Sequence, residues 1–208
     1  MSDPRDIIDL AYAKKVIRIS DVDASENDLL ASYITAASRL LDQHVGHTVA
    51  YTVTNELHGG VNSSGRGYRS VLVLRHRPVL TISSVSTAGA TLSTDGWMAD
   101  RYDPDPTLMS GVIRRRAGGD DALWDYGRQN IAVTYTAGRV ASATQVDARF
   151  QRACAIVLEN LWRDREPSLE PMGEFDVPRQ SFPTFALPTA VKQLLSEEMG
   201  QNRVFGVA

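Results

Sequence analysis

The apolar pattern changes period twice along these 208 residues, and that switch constrains the fold more than any single motif. From Ser25 onward, Leu29, Leu30, Tyr33, Ile34, Ala37, Leu40, Leu41 and Val45 recur three and four residues apart. That spacing lays one continuous apolar stripe along a helix. Ser25-Glu26-Asn27-Asp28 has the spacing of a capping box, with Asp28 standing where Glu is usual, and Gly46 sits where a helix would stop. A helix is predicted over 26–45. The same signature returns at Thr144-Gln145-Val146-Asp147, followed by Val146, Phe150, Ala153, Cys154, Val157, Leu158, Leu161 and Trp162. A second helix is predicted over 144–164.

Between these helices the period drops towards two. Tyr51, Val53, Asn55 and Leu57 alternate with Thr52, Thr54 and Glu56, which predicts a strand with one face half buried. Val71 to Leu74, Pro78 to Val85 with a turn at Ala88-Gly89, the surroundings of Trp97, Val112 to Arg116, and Ile131 to Tyr135 read as further short strands. Gly59 to Gly67, Asp103 to Pro106 and Ala117 to Asp121 read as loops. Five to seven strands would make an antiparallel sheet or small barrel inserted between helices. A short helix is predicted within Asp6–Ile19, with an extended exit. Glu166 to Ser181, with Pro167, Pro171, Gly173 and Pro178, reads as a linker. Pro188 suits the first turn of a last helix that turns Val191, Leu194 and Leu195 inward.

The predicted class is therefore α+β: a small helical bundle core, an inserted antiparallel β subdomain and an extended C-terminal tail. Its expected segments are N-terminal core helices over 1–47, the β insertion over 48–140, a core helix over 141–165, and a linker, terminal helix and partner-binding tail over 166–208. With 43% hydrophobic and 23% charged residues, the chain can bury a core. One cysteine cannot form an internal disulfide, and no run of about 18 apolar residues suggests a membrane span. The start of the chain lacks the basic and apolar regions of a secretory signal, so synthesis in a cytoplasm is expected. The charge balance is −3 over 1–47, +2 over 48–140 and −2 over 141–208, which is not the footprint of a dedicated nucleic-acid binder.

The order of elements resembles the head-tail connector (adaptor, head completion) family of tailed double-stranded DNA bacteriophages. Five pieces carry the resemblance: Tyr12 with Ile17-Arg18-Ile19; Asp28-Leu29-Leu30 through Ile34, Ala36-Ala37-Ser38 and Leu40; Pro78-Val79 with Ile82 and Val85; Val133-Thr134-Tyr135-Thr136-Ala137-Gly138; and Leu187-Pro188 with Val191 and Leu194-Leu195. The resemblance implies a structural virion protein of the neck, without catalysis or cofactor. It would form a ring of twelve copies on the portal protein, extend the DNA channel and offer a docking surface to a stopper or other tail-side neck protein. Double-stranded DNA would pass through without specific capture, and no membrane would be involved. By position, the C-terminal segment, with Phe182, Phe185, Leu187, Val204, Phe205 and Val207, would contact the portal.

Other chemistry is thinly represented. Arg114-Arg115-Arg116 is the sharpest charge cluster, and a strand would face Arg114 and Arg116 to one side and Arg115 to the other. A solvated sheet edge is the first expectation for it, subunit or channel contact the alternative. His44 and His47 are spaced for metal binding, but Gly46 between them breaks the helix and no acid or cysteine nearby completes a set. A small metal-dependent hydrolase using His44, His47 and Glu56 is the reading from another class; a stopper or tail completion protein is the structural alternative. Cys154 lies on the apolar face of its helix and reads as a core residue. No Gly-x-Ser-x-Gly signature occurs, and Gly59-Gly60 to Gly67 lacks the Lys-Ser ending of a phosphate loop.

Overall fold

The computed structural model describes residues 3–20, 24–61, 68–103, 105–164 and 186–199. They fall into two compact units, one built from Met1–Thr48 and Ser142–Ala208, the other from Val49–Ala141.

The first unit is helical, with α1 at Leu10–Ile17, α2 at Asn27–Val45, α3 at Ala148–Asp164 and α4 at Thr189–Leu194. α2 buries Leu30, Ile34, Ala37, Leu41 and Val45, so the apolar stripe of the sequence is the face that packs on α1 and α3. α3 answers with Phe150, Ala153, Cys154, Val157, Leu158 and Leu161. Each such Leu, Ile or Phe removed from water stabilises the fold by roughly 1.5–3 kcal/mol. α4 packs on α3 and buries Val191 and Leu195, while Leu194 is half-buried.

The helix starts differ from the expected ones. α2 begins after Glu26, one residue later than the expected Ser25 cap, and the Glu26 side chain makes no cap hydrogen bond. At α3 the residues from Ala143 to Gln145 form a 3₁₀ turn instead. The cap passes to Asp147, whose Oδ1 accepts the Arg149 N–H at 2.8 Å. Two Asp and Thr candidates lie within one turn there, and the 3₁₀ turn removes the earlier one from the cap position. α1 is capped by Asp9, which accepts the Tyr12 N–H at 2.7 Å.

The second unit is an eight-stranded sheet: β1 Tyr51–His58, β2 Val71–Val73, β3 Val79–Thr87, β4 Ala90–Thr91, β5 Trp97–Arg101, β6 Met109–Ala117, β7 Asp120–Ala122 and β8 Ile131–Ala137. Every strand pair is antiparallel. The order β1-β8-β3-β6-β2 has two ends, with β4 on β3 and β5 and β7 on β6, so the described strands make an open sheet larger than the five to seven strands expected. The short strands β4 and β7 close tight turns on β3 and β6. At Gly118-Gly119 both residues hold positive φ (64° and 97°), which turns β6 straight into β7 where a loop was predicted.

The core of this unit gathers Leu72, Leu74, Val79, Val85, Ile113, Trp124, Ile131, Val133, Tyr135 and Ala137. Gly138 ends β8 at φ 135°, and a Cβ there would stand 2.7 Å from the Ala50 backbone. Only glycine lets those two segments approach so closely.

β1 departs from the predicted alternation. Val53 pairs with Tyr135, but Glu56 pairs with Val133, so three steps on β1 match two on β8. The extra residue is a bulge in which Asn55 adopts φ 54°. Beyond it the faces exchange: Glu56 and His58 turn inward, and Leu57 is 43% exposed.

Candidate functional site

β6 carries Arg114, Arg115 and Arg116, and it is no edge strand. β5 pairs along one flank, while β3, β2 and β7 follow one another along the other. The solvated-edge expectation is thus corrected, because the hairpin at Gly118-Gly119 and the pairing of β5 occupy both sets of backbone groups. Arg114 lies against Asp100 in a two-pronged pair, Nε to Oδ1 at 3.2 Å and Nη2 to Oδ2 at 3.1 Å. Asp100 sits at a register shift of β5, which swings its carboxylate beneath the guanidinium. Arg115 donates to the carbonyls of Gly96 and Arg116, and Arg116 donates to the carbonyl of Gly119 and approaches Met98 Sδ at 3.9 Å. The strand register leaves Arg114 and Arg116 on one face with Met98 and Val73, and Arg115 on the other with Trp97. Arg114, held by the Asp100 carboxylate, and Arg116, held by the Gly119 carbonyl, thus share one face with the apolar Met98 and Val73.

Of the tail residues, Phe182, Phe185, Val204, Phe205 and Val207 lie outside the described residues. Leu187 is buried in the helical unit, leading into α4. Cys154 is fully buried with Sγ 3.7 Å from Ser38 Oγ, and burial pushes its thiol up to about 12.

The histidines divide between the units. His44 Nδ1 donates to the Leu40 carbonyl at 2.9 Å, and His47 Nδ1 lies 3.6 Å from Asp42 Oδ2, both in the helical unit. Glu56, the third member of the hydrolase reading, belongs to the sheet unit. Among the described residues no group of three His, Cys, Asp or Glu side chains is arranged to hold a metal ion.

Glu56 instead heads a polar cluster that the sequence does not announce. Its Oε2 accepts the Tyr135 hydroxyl at 2.5 Å, and its Oε1 accepts the Arg75 N–H at 3.0 Å. His58 Nε2 stands 2.7 Å from Oε1, a close contact off the line of a straight hydrogen bond. The Tyr135 oxygen in turn accepts the His76 N–H at 3.2 Å. Burial alone would raise the Glu56 pKa, but His58, Tyr135 and the Arg75 amide outweigh it and hold it at about 2. The same burial, with the carboxylate beside it, pushes the Tyr135 phenol well above its usual range. Near neutral pH the carboxylate stays ionised and the phenol stays neutral, so neither group is poised for proton transfer. The cluster ties β1, β8 and the β2–β3 connection together.

A second network lies in the helical unit around Arg39. Its Nη2 is 3.0 Å from Asp3 Oδ2 and 3.8 Å from Asp6 Oδ1, and its Nη1 bonds Asp42 Oδ2 at 3.3 Å and the Arg5 carbonyl at 3.2 Å. Asp42 also accepts the Thr48 N–H at 3.1 Å. Arg39 thereby fastens the segment before α1 to α2, beside the buried Ile7 and Ile8.

One further feature escaped the sequence. Tyr68 and Tyr126 meet edge to face with ring centroids 5.7 Å apart, on the surface of the sheet unit, and Leu123, in the same connection as Tyr126, is exposed as well. The only hint is two tyrosines in glycine-flanked loops, a weak signal.

No family model matches this chain, and no curated protein does. Among solved structures it is similar to a chain in the neck of an empty GTA particle computed with C6 symmetry. The identity is 16% and the TM-score 0.56, over 92% of this chain and 89% of that one. At that identity the likeness shows a shared fold, and it extends over helical and sheet units alike.

Proposed function

We propose that this chain is a structural neck protein, a head-to-tail adaptor that assembles as a ring on a portal, extends the DNA channel and offers a docking surface to the next neck or tail protein. The observation that carries the reading is the likeness over 92% of the chain to a protein in the neck of a GTA particle. The five motif pieces found in sequence point the same way, independently of the fold. A ring of twelve contains sixfold symmetry, so it is compatible with a neck computed with C6 symmetry. The role is geometric and needs no cofactor: rigid units meet side by side, and recognition lies in the surfaces.

In this reading the helical unit forms the subunit core, 48–140 is an insertion, and the C-terminal segment with Phe182, Phe185, Val204, Phe205 and Val207 binds the portal. Purified protein mixed with its portal, weighed by mass photometry, tests the reading. A ring-sized gain in mass on the portal is expected, and deletion of Gly200 to Ala208 is expected to abolish it while the protein stays folded. A wild-type chain that ignores the portal would overturn the reading. Undiminished loading by the truncated chain would overturn the assignment of the tail.

A further inference from the structure

Six of the seven large apolar side chains exposed among the described residues belong to the sheet unit, and all of these but Leu57 make up two groups. The first is an aromatic knob: Tyr68 at 58%, Leu123 at 56% and Tyr126 at 59% exposure. Its loops are pinned from beneath. Trp124, between the exposed residues, is fully buried and its backbone N–H donates to the Arg69 carbonyl at 2.8 Å. Asp125 accepts the Thr87 hydroxyl at 2.8 Å, and the Asn130 amide donates to the Asp125 carbonyl at 2.9 Å. Gly60 lies so close to Asp125 that a Cβ would overlap its carbonyl oxygen. Aromatic rings held out on a fixed base lose little freedom on contact, which is the property of interface anchors.

The second group is a flat face on β2, β6 and β5. Val73 is 42% exposed and Met98 40% exposed; they flank β6 on the face that carries Arg114 and Arg116. Asp100 holds the Arg114 guanidinium in place, and Arg116 lies against the Met98 sulfur. A thioether, an aliphatic side chain and fixed guanidinium groups are what tyrosine rings pack on best, through sulfur–aromatic and cation–π contacts. Within one copy the Tyr68 ring meets Tyr126 edge to face, and both groups remain open to solvent.

We propose that the Tyr68–Leu123–Tyr126 knob of one copy docks on the Val73–Met98–Arg114–Arg116 face of the next copy. Each chain carries both halves, and the halves differ, so the contact is head-to-tail and repeats from copy to copy, as a ring requires. Two tyrosine rings and a leucine are the chemistry of a protein interface anchor. This inference rests on the ring reading and names the surfaces that would form it.

Complementation tests it in the full chain. Tyr68→Ser with Tyr126→Ser removes the knob; Val73→Ser with Met98→Ser removes the face. All four positions are exposed, so far-UV circular dichroism and thermal unfolding should match wild type. By sedimentation over a concentration series, each double variant alone is expected to self-associate roughly tenfold or more weakly than wild type. An equimolar mixture is expected to form a two-copy species, because the intact face of one variant accepts the intact knob of the other. Association of either variant at wild-type strength, or a mixture that stays monomeric, overturns the proposal. So does a wild type that stays monomeric alone and loads on the portal only as isolated copies, which would leave the neck reading standing. Self-association without any portal binding would do the reverse.

Discussion

Replacing Arg39 by Met separates the charge of the N-terminal latch from its bulk. The side chain faces Asp3, Asp6 and Asp42 at 3.0, 3.8 and 3.3 Å, and Asp6 and Asp42 are both buried. Removing one partner of a fully buried ion pair costs about 3–5 kcal/mol. Arg39 and Asp3 keep about a quarter of their side-chain surface in water (27% and 24%), so water compensates part of the loss. About 2–3 kcal/mol remains. For a chain of this size that lowers the melting temperature of the helical unit by roughly 4–12 °C. The pH dependence gives a second, sharper readout. Hydrogen bonding from Arg5, with Arg39 assisting, holds Asp3 well below the ordinary carboxylate range. Its contribution is therefore present above the ordinary Asp pKa and lost as pH falls through the folded value. Burial raises Asp6, so its ionised form opposes folding, and the stability it lends in acid is lost as pH rises through its folded pKa. Without Arg39 both pKa values move up, and protonation relieves the uncompensated charges. The deficit of the variant should thus shrink between neutral pH and about pH 4, the ordinary carboxylate range. Calorimetric melts across that range decide it. A deficit that is absent at neutral pH, or that grows in acid, would refute the electrostatic account of the latch.

Two further outcomes follow from buried groups. Glu56→Gln is expected to cost about 1–3 kcal/mol at neutral pH, since the amide keeps the shape but loses charge-assisted bonds to Tyr135 and the Arg75 amide. Because the folded pKa of Glu56 is about 2 against an ordinary 4.5, its contribution is present above 4.5 and fades towards 2; melts of wild type and variant should converge across that window. Cys154, with its thiol pushed up to about 12 and its side chain fully buried, should resist iodoacetamide in the native state and react after denaturation; prompt labelling of folded protein would contradict its placement.

The elements that were legible in sequence share one property: their signal lies within the element. Leu30, Ile34, Leu41 and Val45 mark α2 because a helix returns to the same face every turn, and the structure buries those residues. Val133 and Tyr135 mark β8 in the same way. The conformation at Ala88-Gly89 was readable as a turn, and Gly118-Gly119 carried the same information, since two consecutive residues at positive φ make a two-residue hairpin. The cap of α3 was misplaced because Thr144 and Asp147 are both good caps, and the 3₁₀ turn before α3 chose between them.

What the sequence by itself determined is the kind and location of the helices and most strands, together with the absence of any motif for nucleophilic catalysis or phosphate binding. Tertiary structure alone decided which side chains face which way and what they meet. Asn55 is one residue among alternating neighbours, yet its bulge turns Glu56 and His58 into the core, because pairing with β8 sets the register of β1. A buried carboxylate is tolerable there only because donors from β1, β8 and the β2–β3 connection converge on it. Arg114 to Arg116 looked like a charged edge until β5 and β2 were seen to pair on either side. Periodicity is a local property of the chain; strand partners, and the surfaces they leave exposed, depend on residues tens of positions away.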